Sequence, residues 1–314
     1  MSELQHDIVD AAGIRLHVVE RGHGPAVLFC HGFPTTWASW RRAMQATADA
    51  GFHAIAFDMR GYGDSDAPAD ASLYTPFHTV GDVIAVLDHF QVDRAILVGH
   101  DFGANIAWNA AMMRPDRIAA VFGVSVPFLQ PGGPSFLDQL RSAGADGFYM
   151  FDQMSAAADA KWADAAHSIP SSLYWLSGEA PADARWDPFD PARHMLRPVP
   201  AAPTTIDPAY VEEMVRVFSR TGFHAPLNYY RAIDAFFAVA SRAYAGSVID
   251  QPSFFLTGEA DGLNAVRSPS EDSLRESLPG LRGFLSLAGV GHWPQLEAPD
   301  AFNAALVRFL RSVS

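Results

Sequence analysis

The segment that decides the fold reads Ala95-Ile96-Leu97-Val98-Gly99-His100-Asp101-Phe102-Gly103-Ala104. Its first half is a short apolar run typical of a buried strand, and the stretch from Ala104 to Met113 is typical of a helix. A strand that turns directly into a helix needs small residues beside the turn, because a Cβ there would clash. The pattern Gly-x-Asp-x-Gly therefore predicts a sharp corner that presents Asp101 to a cavity above a sheet.

The residue type at this corner indicates the chemistry. A carboxylate that attacks carbon by displacement leaves an alkyl ester on the protein, which favours an epoxide or a carbon–halogen bond over an ester or amide as the reacting group. The alternative for Asp101 is an ordinary helix N-cap, a position that aspartate often occupies. The flanking Gly99 and Gly103, together with the preceding strand, favour the nucleophile.

Short apolar segments alternate with helical segments along most of the chain. Residues 8–20 predict a β-hairpin. Further strands are predicted at 26–30, 54–57, 95–98, 119–124, 253–257 and 284–287, and helices at 36–49, 79–90, 104–113, 270–278 and 299–311. This alternation predicts an α/β fold with an eight-stranded, mostly parallel sheet and helices on both faces.

The alternation stops after the sixth strand. From Pro127 to about Gly246 strand-like runs are few and aromatic residues are many, and seven prolines fall between Pro181 and Pro208. Such a density of proline bars a continuous helix there. We therefore expect one discontinuous core, residues 1–126 and 246–314, that carries a mostly helical cap or lid at residues 127–245.

Composition narrows the function classes. Of the 314 residues 49% are hydrophobic, which suits a globular protein with a large core. The net charge is −13, which disfavours nucleic-acid binding because an acidic surface repels phosphates. The polar stretch from Met1 to Gly13 does not resemble a signal peptide, and no run approaches the roughly 18 apolar residues of a membrane span. The single Cys30 favours a reducing compartment. We expect a cytoplasmic protein without membrane contact, and a homodimer is compatible with the sequence.

Two further residues complete a catalytic arrangement with Asp101. His292 lies between the last predicted strand and helix, where a loop can carry an imidazole to the corner; a solvated loop histidine is the alternative. Asp261 follows the seventh strand, at the end of the sheet where ligands bind in open α/β folds. A carboxylate there would orient the imidazole and stabilise its protonated form. Glu259 competes for this role but lies closer to the strand end.

The loop His31-Gly32-Phe33-Pro34 follows the third strand. The backbone N–H of Phe33, with that of Phe102 as a second donor, can face a developing oxyanion. A simple tight turn is the alternative interpretation. The histidines lack metal-ligand spacings such as His-x-His, so no metal is expected. Gly61-Tyr62-Gly63 follows a strand but lacks the third glycine of a dinucleotide fingerprint, and no cofactor is expected.

Together these pieces resemble the epoxide hydrolases of the α/β-hydrolase fold, over essentially the whole chain. The matching motifs are His31-Gly32-Phe33-Pro34, Gly61-Tyr62-Gly63-Asp64-Ser65-Asp66, Gly99-His100-Asp101-Phe102-Gly103, Gly258-Glu259-Ala260-Asp261 and Gly291-His292-Trp293-Pro294. An aspartate at the corner, followed along the chain by an acid and a histidine, is specific for the branch of epoxide hydrolases and dehalogenases. The resemblance implies that Asp101 is the nucleophile, His292 the general base and Asp261 its charge relay.

The resemblance also implies two lid tyrosines that donate hydrogen bonds to the epoxide oxygen. Asn228-Tyr229-Tyr230-Arg231 is similar to the family's Asn-aromatic-Tyr-Arg stretch and places one donor at Tyr230. Tyr149 is the other candidate, with Tyr174 and Tyr229 as alternatives, because the residues after Tyr149 depart from the family's aromatic run. The expected substrates are a small apolar epoxide and water. The residues expected to line the pocket are Trp37, Phe128, Tyr229 and Trp293.

Two other functions remain as alternatives. A dehalogenase would share the first step, but haloalkane-cleaving relatives are expected to carry Trp beside the nucleophile and haloacid-cleaving relatives Arg, where this chain has Phe102. Many epoxide hydrolases also carry Trp there. A non-catalytic ligand sensor would have no need for both Asp101 and His292.

Overall fold

An eight-stranded sheet forms the centre of the computed structural model, which describes residues 3–200 and 203–314. The strands are β1 (Gln5–Ala11), β2 (Ile14–Arg21), β3 (Ala26–Cys30), β4 (His53–Phe57), β5 (Ala95–His100), β6 (Ile118–Val124), β7 (Ser253–Gly258) and β8 (Leu281–Leu287). Their order across the sheet is β1-β2-β4-β3-β5-β6-β7-β8. The β1–β2 and β2–β4 pairs are antiparallel and the remaining pairs are parallel. The predicted strands and the mostly parallel sheet are confirmed.

Thirteen helices accompany the sheet within the described ranges. They are α1 (Arg41–Asp49), α2 (Pro76–His89), α3 (Phe102–Met113), α4 (Phe136–Ser142), α5 (Tyr149–Met154), α6 (Ala158–Trp162), α7 (Ala165–Trp175), α8 (Pro208–Thr221), α9 (His224–Arg231), α10 (Ile233–Ala243), α11 (Glu271–Arg275), α12 (Pro294–Glu297) and α13 (Pro299–Val313). Helix α1 packs against α13, and α2 packs against α3. None of these helices combines the length and apolar character that crossing a membrane requires.

The central strands are buried from end to end. Every residue of β3 and of β5 is buried, as expected for parallel strands that are covered on both faces. Cys30, the single cysteine of the chain, ends β3 and is completely buried as a free thiol. Burial raises the pKa of this thiol.

The corner between β5 and α3 has the predicted geometry. Asp101 is its single connecting residue, with φ 55° and ψ −119°, a backbone region that few residues other than glycine adopt. A Cβ at Gly99 would lie 2.2 Å from the carbonyl oxygen of Gly103, and a Cβ at Gly103 would lie 2.0 Å from that of Cys30. The strand and helix therefore approach so closely that only glycine fits two positions before and two positions after Asp101.

The segment between β6 and β7 contains helices α4 to α10 and, where it is described, no strand. Its proline-rich passage forms one short 3-10 turn, Pro191–Arg193, before α8 begins at Pro208. Residues 201 and 202, within the predicted insertion, and residues 1 and 2, at the start of the predicted core, lie outside the described residues.

The predicted helices differ from the observed ones by up to a few residues at their ends, and two of the differences are structural. The helix predicted at 36–49 is divided into a 3-10 turn, Trp37–Trp40, and α1. The helix predicted at 270–278 ends at Arg275 as α11. Glu276, the residue after it, still has helical dihedral angles, and Pro279 lacks the backbone N–H that a longer helix would need.

We expect Gly103→Ala to lower the free energy of unfolding by about 3 kcal/mol, because the new Cβ meets backbone that cannot move away. Gly81→Ala is the matched control: Gly81 lies in α2, and a Cβ there has no atom within 4 Å. The control should gain about 0.5 to 1 kcal/mol from helix propensity. Urea unfolding measures both, and equal effects of the two substitutions would contradict this account of the corner.

Candidate active site

Asp101, His292 and Asp261 converge at the carboxyl end of the sheet, on the loops that follow β5, β8 and β7. The Nδ1 of His292 lies 2.9 Å from Oδ2 of Asp261, and its Nε2 lies 3.7 Å from Oδ2 of Asp101. All three side chains are buried. The second oxygen of Asp261 accepts the backbone N–H of Leu263 at 2.9 Å, which fixes the carboxylate. Glu259, the competing acid in the sequence, is exposed.

The two carboxylate oxygens of Asp101 have different surroundings. Oδ1 accepts the backbone N–H of Phe33 at 2.9 Å, whereas Oδ2 is the oxygen that faces His292. The backbone N–H of Phe102 also acts to lower the pKa of this carboxylate. The structure thus brings together both main-chain donors that the sequence suggested for an oxyanion.

Burial and charge act in opposite directions on the central groups. Burial raises the pKa of Asp101, although His292 and the N–H groups of Phe33 and Phe102 act to lower it. Burial acts to lower the pKa of His292, but Asp261, Asp101 and Glu297 outweigh it, so that this pKa is raised. The site therefore favours an imidazolium beside the carboxylates more than water does.

The loop of His292 is held by groups that sequence reasoning missed. The carbonyl oxygen of His292 accepts hydrogen bonds from Nε2 of His100 at 2.7 Å and from the hydroxyl of Ser125 at 3.0 Å. Its backbone N–H donates to the carbonyl oxygen of Leu176 at 2.9 Å. Burial holds the pKa of His100 well below its usual value, so its ring is neutral. The position of His100 beside Asp101 was the one available signal in the sequence.

Tyr149 and Tyr230 line a small cavity together with Asp101 and His292. The cavity volume is about 10 Å³, and its other lining residues are Phe33, Pro34, Ser172, Leu176, Trp186, Met195 and Leu263. Tyr149 comes from α5 and Tyr230 from α9, with ring centroids 6.2 Å apart and planes at 86°. Burial raises the pKa of both phenols, which keeps them protonated as hydrogen-bond donors.

The two alternative tyrosines lie elsewhere. Tyr229 donates its hydroxyl to the carbonyl oxygen of Arg60 at 3.1 Å and lines a separate apolar cavity. The ring of Tyr174 packs edge-on against Trp175, with centroids 4.9 Å apart. Neither is among the residues that line the cavity at Asp101.

The four residues expected to line the pocket are placed differently from that expectation. Trp37 packs edge-on against His6, Trp293 is fully buried against His292, and Phe128 and Tyr229 line the apolar cavity, whose volume is about 140 Å³. A residue's closeness in sequence to a predicted site residue does not determine the direction of its side chain, which explains the difference. Trp186, Met195 and Leu263, which do line the cavity at Asp101, carry no motif in the sequence.

A second cluster of acidic and histidine side chains has the ligand types of a metal site. It consists of His17, Asp58 and Asp64. Oδ2 of Asp58 lies 2.8 Å from Nδ1 of His17 and accepts the backbone N–H of Asp64 at 3.1 Å, and Oδ1 accepts that of Trp37 at 3.1 Å. These bonds satisfy the buried carboxylate within the chain itself.

Comparisons with known proteins identify the family of the chain. The family described as alpha/beta hydrolase fold matches residues 25–299. An epoxide hydrolase of Caballeronia sordidicola is 54% identical over 303 residues, which cover 96% of this chain and 92% of that protein. Epoxide hydrolase A of Mycobacterium tuberculosis is 35% identical over 312 residues, 96% of each chain.

This chain belongs to the epoxide hydrolases of the α/β-hydrolase fold. Its fold resembles the solved structure of an epoxide hydrolase from an endophytic Streptomyces with a TM-score of 0.91 and 34% identity, over 98% of this chain and 96% of that one. The family and fold class expected from the sequence are confirmed. The dehalogenase alternative is not favoured, since the named relatives are epoxide hydrolases.

The raised pKa of His292 predicts a pH-dependent stability. A folded-state pKa above the unfolded value means that protonated His292 stabilises the fold, fully below about pH 6.5 and progressively less as the pH rises through the folded value. We expect the free energy of unfolding to differ more between wild type and His292→Gln near pH 6 than near pH 9. His23→Gln removes an exposed histidine as the control. Urea unfolding measures the differences, and a His292→Gln effect that is the same at both pH values would contradict the raised pKa.

Proposed function

We propose that this protein opens an epoxide to a vicinal diol through an alkyl ester on Asp101. The observation that carries the proposal is the carboxylate of Asp101 itself. It stands on a strained corner with one oxygen held by the N–H of Phe33 and the other directed at the imidazole of His292. An aspartate that only capped a helix would need neither partner. The side chain of Asp101 makes no cap hydrogen bond to α3.

In the first step Oδ2 of Asp101 attacks an oxirane carbon from the side opposite the breaking C–O bond. Oδ1 is occupied by the N–H of Phe33, which leaves Oδ2 as the attacking atom. The electrons of the broken bond pass to the oxirane oxygen. Tyr149 and Tyr230 donate hydrogen bonds to this oxygen as its negative charge develops, because an unassisted alkoxide is a poor leaving group.

In the second step the ester is hydrolysed. Nε2 of His292 takes a proton from a water molecule, whose oxygen attacks the Cγ of Asp101, while Asp261 stabilises the imidazolium. Oδ1, now the ester carbonyl oxygen, carries the oxyanion and is already in place against the N–H of Phe33, with that of Phe102 as second donor. Collapse of the intermediate breaks the Cγ–Oδ2 bond, so that Oδ2 leaves as the new oxygen of the diol. The former oxirane oxygen and Oδ2 each need a proton, and these are the proton held by His292 and the second proton of the attacking water. A neutral diol leaves and Asp101 returns to the carboxylate. Asp101 keeps one oxygen from water.

We assign residues 127–245 to a lid over a core formed by residues 1–126 and 246–314. This division is supported by the origin of the two phenols, since Tyr149 and Tyr230 both come from the segment between β6 and β7. The cavity at Asp101 has room for about one water molecule. Tyr149, Trp186 and Met195 also line a larger, open cavity of about 540 Å³, which supports a path for the epoxide past these three residues.

The substrate that fits this proposal is a small, mainly apolar epoxide. Apolar and aromatic side chains such as Phe33, Leu176, Trp186 and Leu263 surround Asp101 and would contact the substituents of the oxirane ring. A cytoplasmic location is consistent with the single reduced cysteine, and a homodimer remains a prediction.

A single turnover of styrene oxide in ¹⁸O-water tests the covalent step. With enzyme in excess, the first diol should contain no ¹⁸O, because its new oxygen comes from Asp101, and the Asp101 peptide should gain the label. Mass spectrometry of the product and of the peptide measures both. Direct attack by water would instead label the diol in the first turnover and leave Asp101 unlabelled, which would rule out the ester.

His292→Gln should trap the ester, since the substituted side chain cannot take the proton from water. Intact-protein mass spectrometry should then show the mass of enzyme plus substrate after one addition of epoxide. The control His23→Gln, an exposed histidine, should turn over without accumulation. If His292→Gln hydrolyses the ester at the wild-type rate, His292 is not the base.

Replacing the two cavity phenols should slow alkylation. We expect Tyr149→Phe and Tyr230→Phe each to reduce the rate of ester formation by about 10²-fold, the usual effect of removing one preorganised donor. Tyr229→Phe is the matched control, because the Tyr229 hydroxyl is bonded to the carbonyl oxygen of Arg60 and Tyr229 does not line the cavity at Asp101. Rapid-quench measurement of the ester gives the rates. Equal losses for Tyr229→Phe and Tyr230→Phe would contradict the assignment of the donor.

A further inference from the structure

The carboxylate of Glu297 connects the segment between β6 and β7 to the loop that carries His292. Its Oε2 accepts the backbone N–H groups of Gly178 at 2.8 Å and of Gly291 at 2.9 Å, and its Oε1 accepts that of Trp293 at 2.9 Å. Gly291 and Trp293 flank His292 in sequence, whereas Gly178 follows α7. One side chain therefore binds main-chain groups on both sides of a junction.

The backbones at this junction are in direct contact. The N–H of His292 donates to the carbonyl oxygen of Leu176 at 2.9 Å. A Cβ at Gly291 would lie 2.3 Å from that same oxygen and 2.5 Å from the nitrogen of Gly178. The contact leaves no space for a side chain between the two segments, so the position of His292 depends on the hydrogen bonds that close the junction.

The partners of Glu297 fit an ionised carboxylate. All three are N–H donors, and a carboxylate that accepts only from donors has no need of its own proton. Burial raises the pKa of Glu297, while the three N–H groups act to lower it. The charge of Glu297 is also one of the influences that raise the pKa of His292.

The reaction changes which charges surround His292. In the free enzyme the groups that face it are the carboxylates of Asp101, Asp261 and Glu297 and the neutral ring of His100. Formation of the ester removes the charge of Asp101. Of the three carboxylates, Asp261 and Glu297 alone then remain charged at the moment when His292 takes a proton from water.

We propose that Glu297 is a positioning residue for ester hydrolysis, which holds the loop of His292 against the 176–178 segment and supports the imidazolium that forms there. This inference rests on the proposed function, since it concerns the second of the two steps. Glu297 has no role in alkylation, because His292 does not change its protonation in that step.

The test compares Glu297→Gln with Glu297→Asp in rapid-quench experiments that resolve the two steps. For Glu297→Gln we expect ester hydrolysis to slow by about tenfold while alkylation stays within about twofold, so that more ester accumulates. The acid limb of the hydrolysis pH profile should move to lower pH, because loss of a negative charge lowers the pKa of His292 in the ester. Glu297→Asp keeps the charge and should retain the wild-type acid limb.

Glu213→Gln is the matched control. Glu213 lies on α8 and pairs with Arg41 of α1 at 3.0 Å, so it also links the segment between β6 and β7 to the rest of the chain, but on the protein surface. This variant should leave both rates and the pH profile unchanged. An equal slowing of alkylation and hydrolysis in Glu297→Gln, or an unchanged acid limb in a folded Glu297→Gln protein, would overturn the inference.

Amide exchange on the unaltered enzyme provides a readout that does not depend on a folded variant. The amides of Gly178, Gly291 and Trp293 share one acceptor side chain and should become exchangeable together; faster exchange of Gly291 and Trp293 than of Gly178 would overturn the inference. If the proposed function itself is wrong, no ester will form in His292→Gln. That result distinguishes a failure of the proposed function from a failure of the role of Glu297.

Discussion

The close approach of β5, α3 and β3 is the constraint on which the site depends. With glycine two positions before and two positions after it, Asp101 can occupy a corner that few side chains tolerate. A backbone conformation of this kind costs about 1–3 kcal/mol. The buried parallel strands on either side hold that conformation in place. The same approach brings the loop after β3 beside the carboxylate, so the N–H of Phe33 reaches one of its oxygens while the other faces His292.

The site combines different groups from two parts of the chain. The loops after β3, β5, β7 and β8 supply the carboxylate, the imidazole, its partner acid and the main-chain donors. The segment between β6 and β7 supplies the two phenols and the carbonyl oxygen of Leu176 that binds the loop of His292. The surroundings of Asp101 therefore depend on the relative position of both parts. Helix α12, through Glu297, contacts each of them.

Local patterns predicted the sheet and the corner well, because strand periodicity and glycine spacing are consequences of local geometry. The bounds of β3 and the position of Asp101 agree with the sequence analysis. The order of Asp101, Asp261 and His292 along the chain was enough to propose their convergence. Pocket-lining residues were not predictable in this way, as the direction of Trp37 and the burial of Trp293 depend on tertiary packing. Glu297 went unnoticed because its three partners are backbone groups, which carry no residue-type signal, and one of them, Gly178, is distant in sequence.

The burial of Cys30 has a chemical consequence for a protein that handles epoxides. An epoxide is an electrophile, and the thiolate is the form of cysteine that such electrophiles alkylate. This chain has one thiol, which is completely enclosed at the end of a central strand, and burial raises its pKa so that it stays protonated. The protein is thus protected from inactivation through its cysteine by the reagent it consumes.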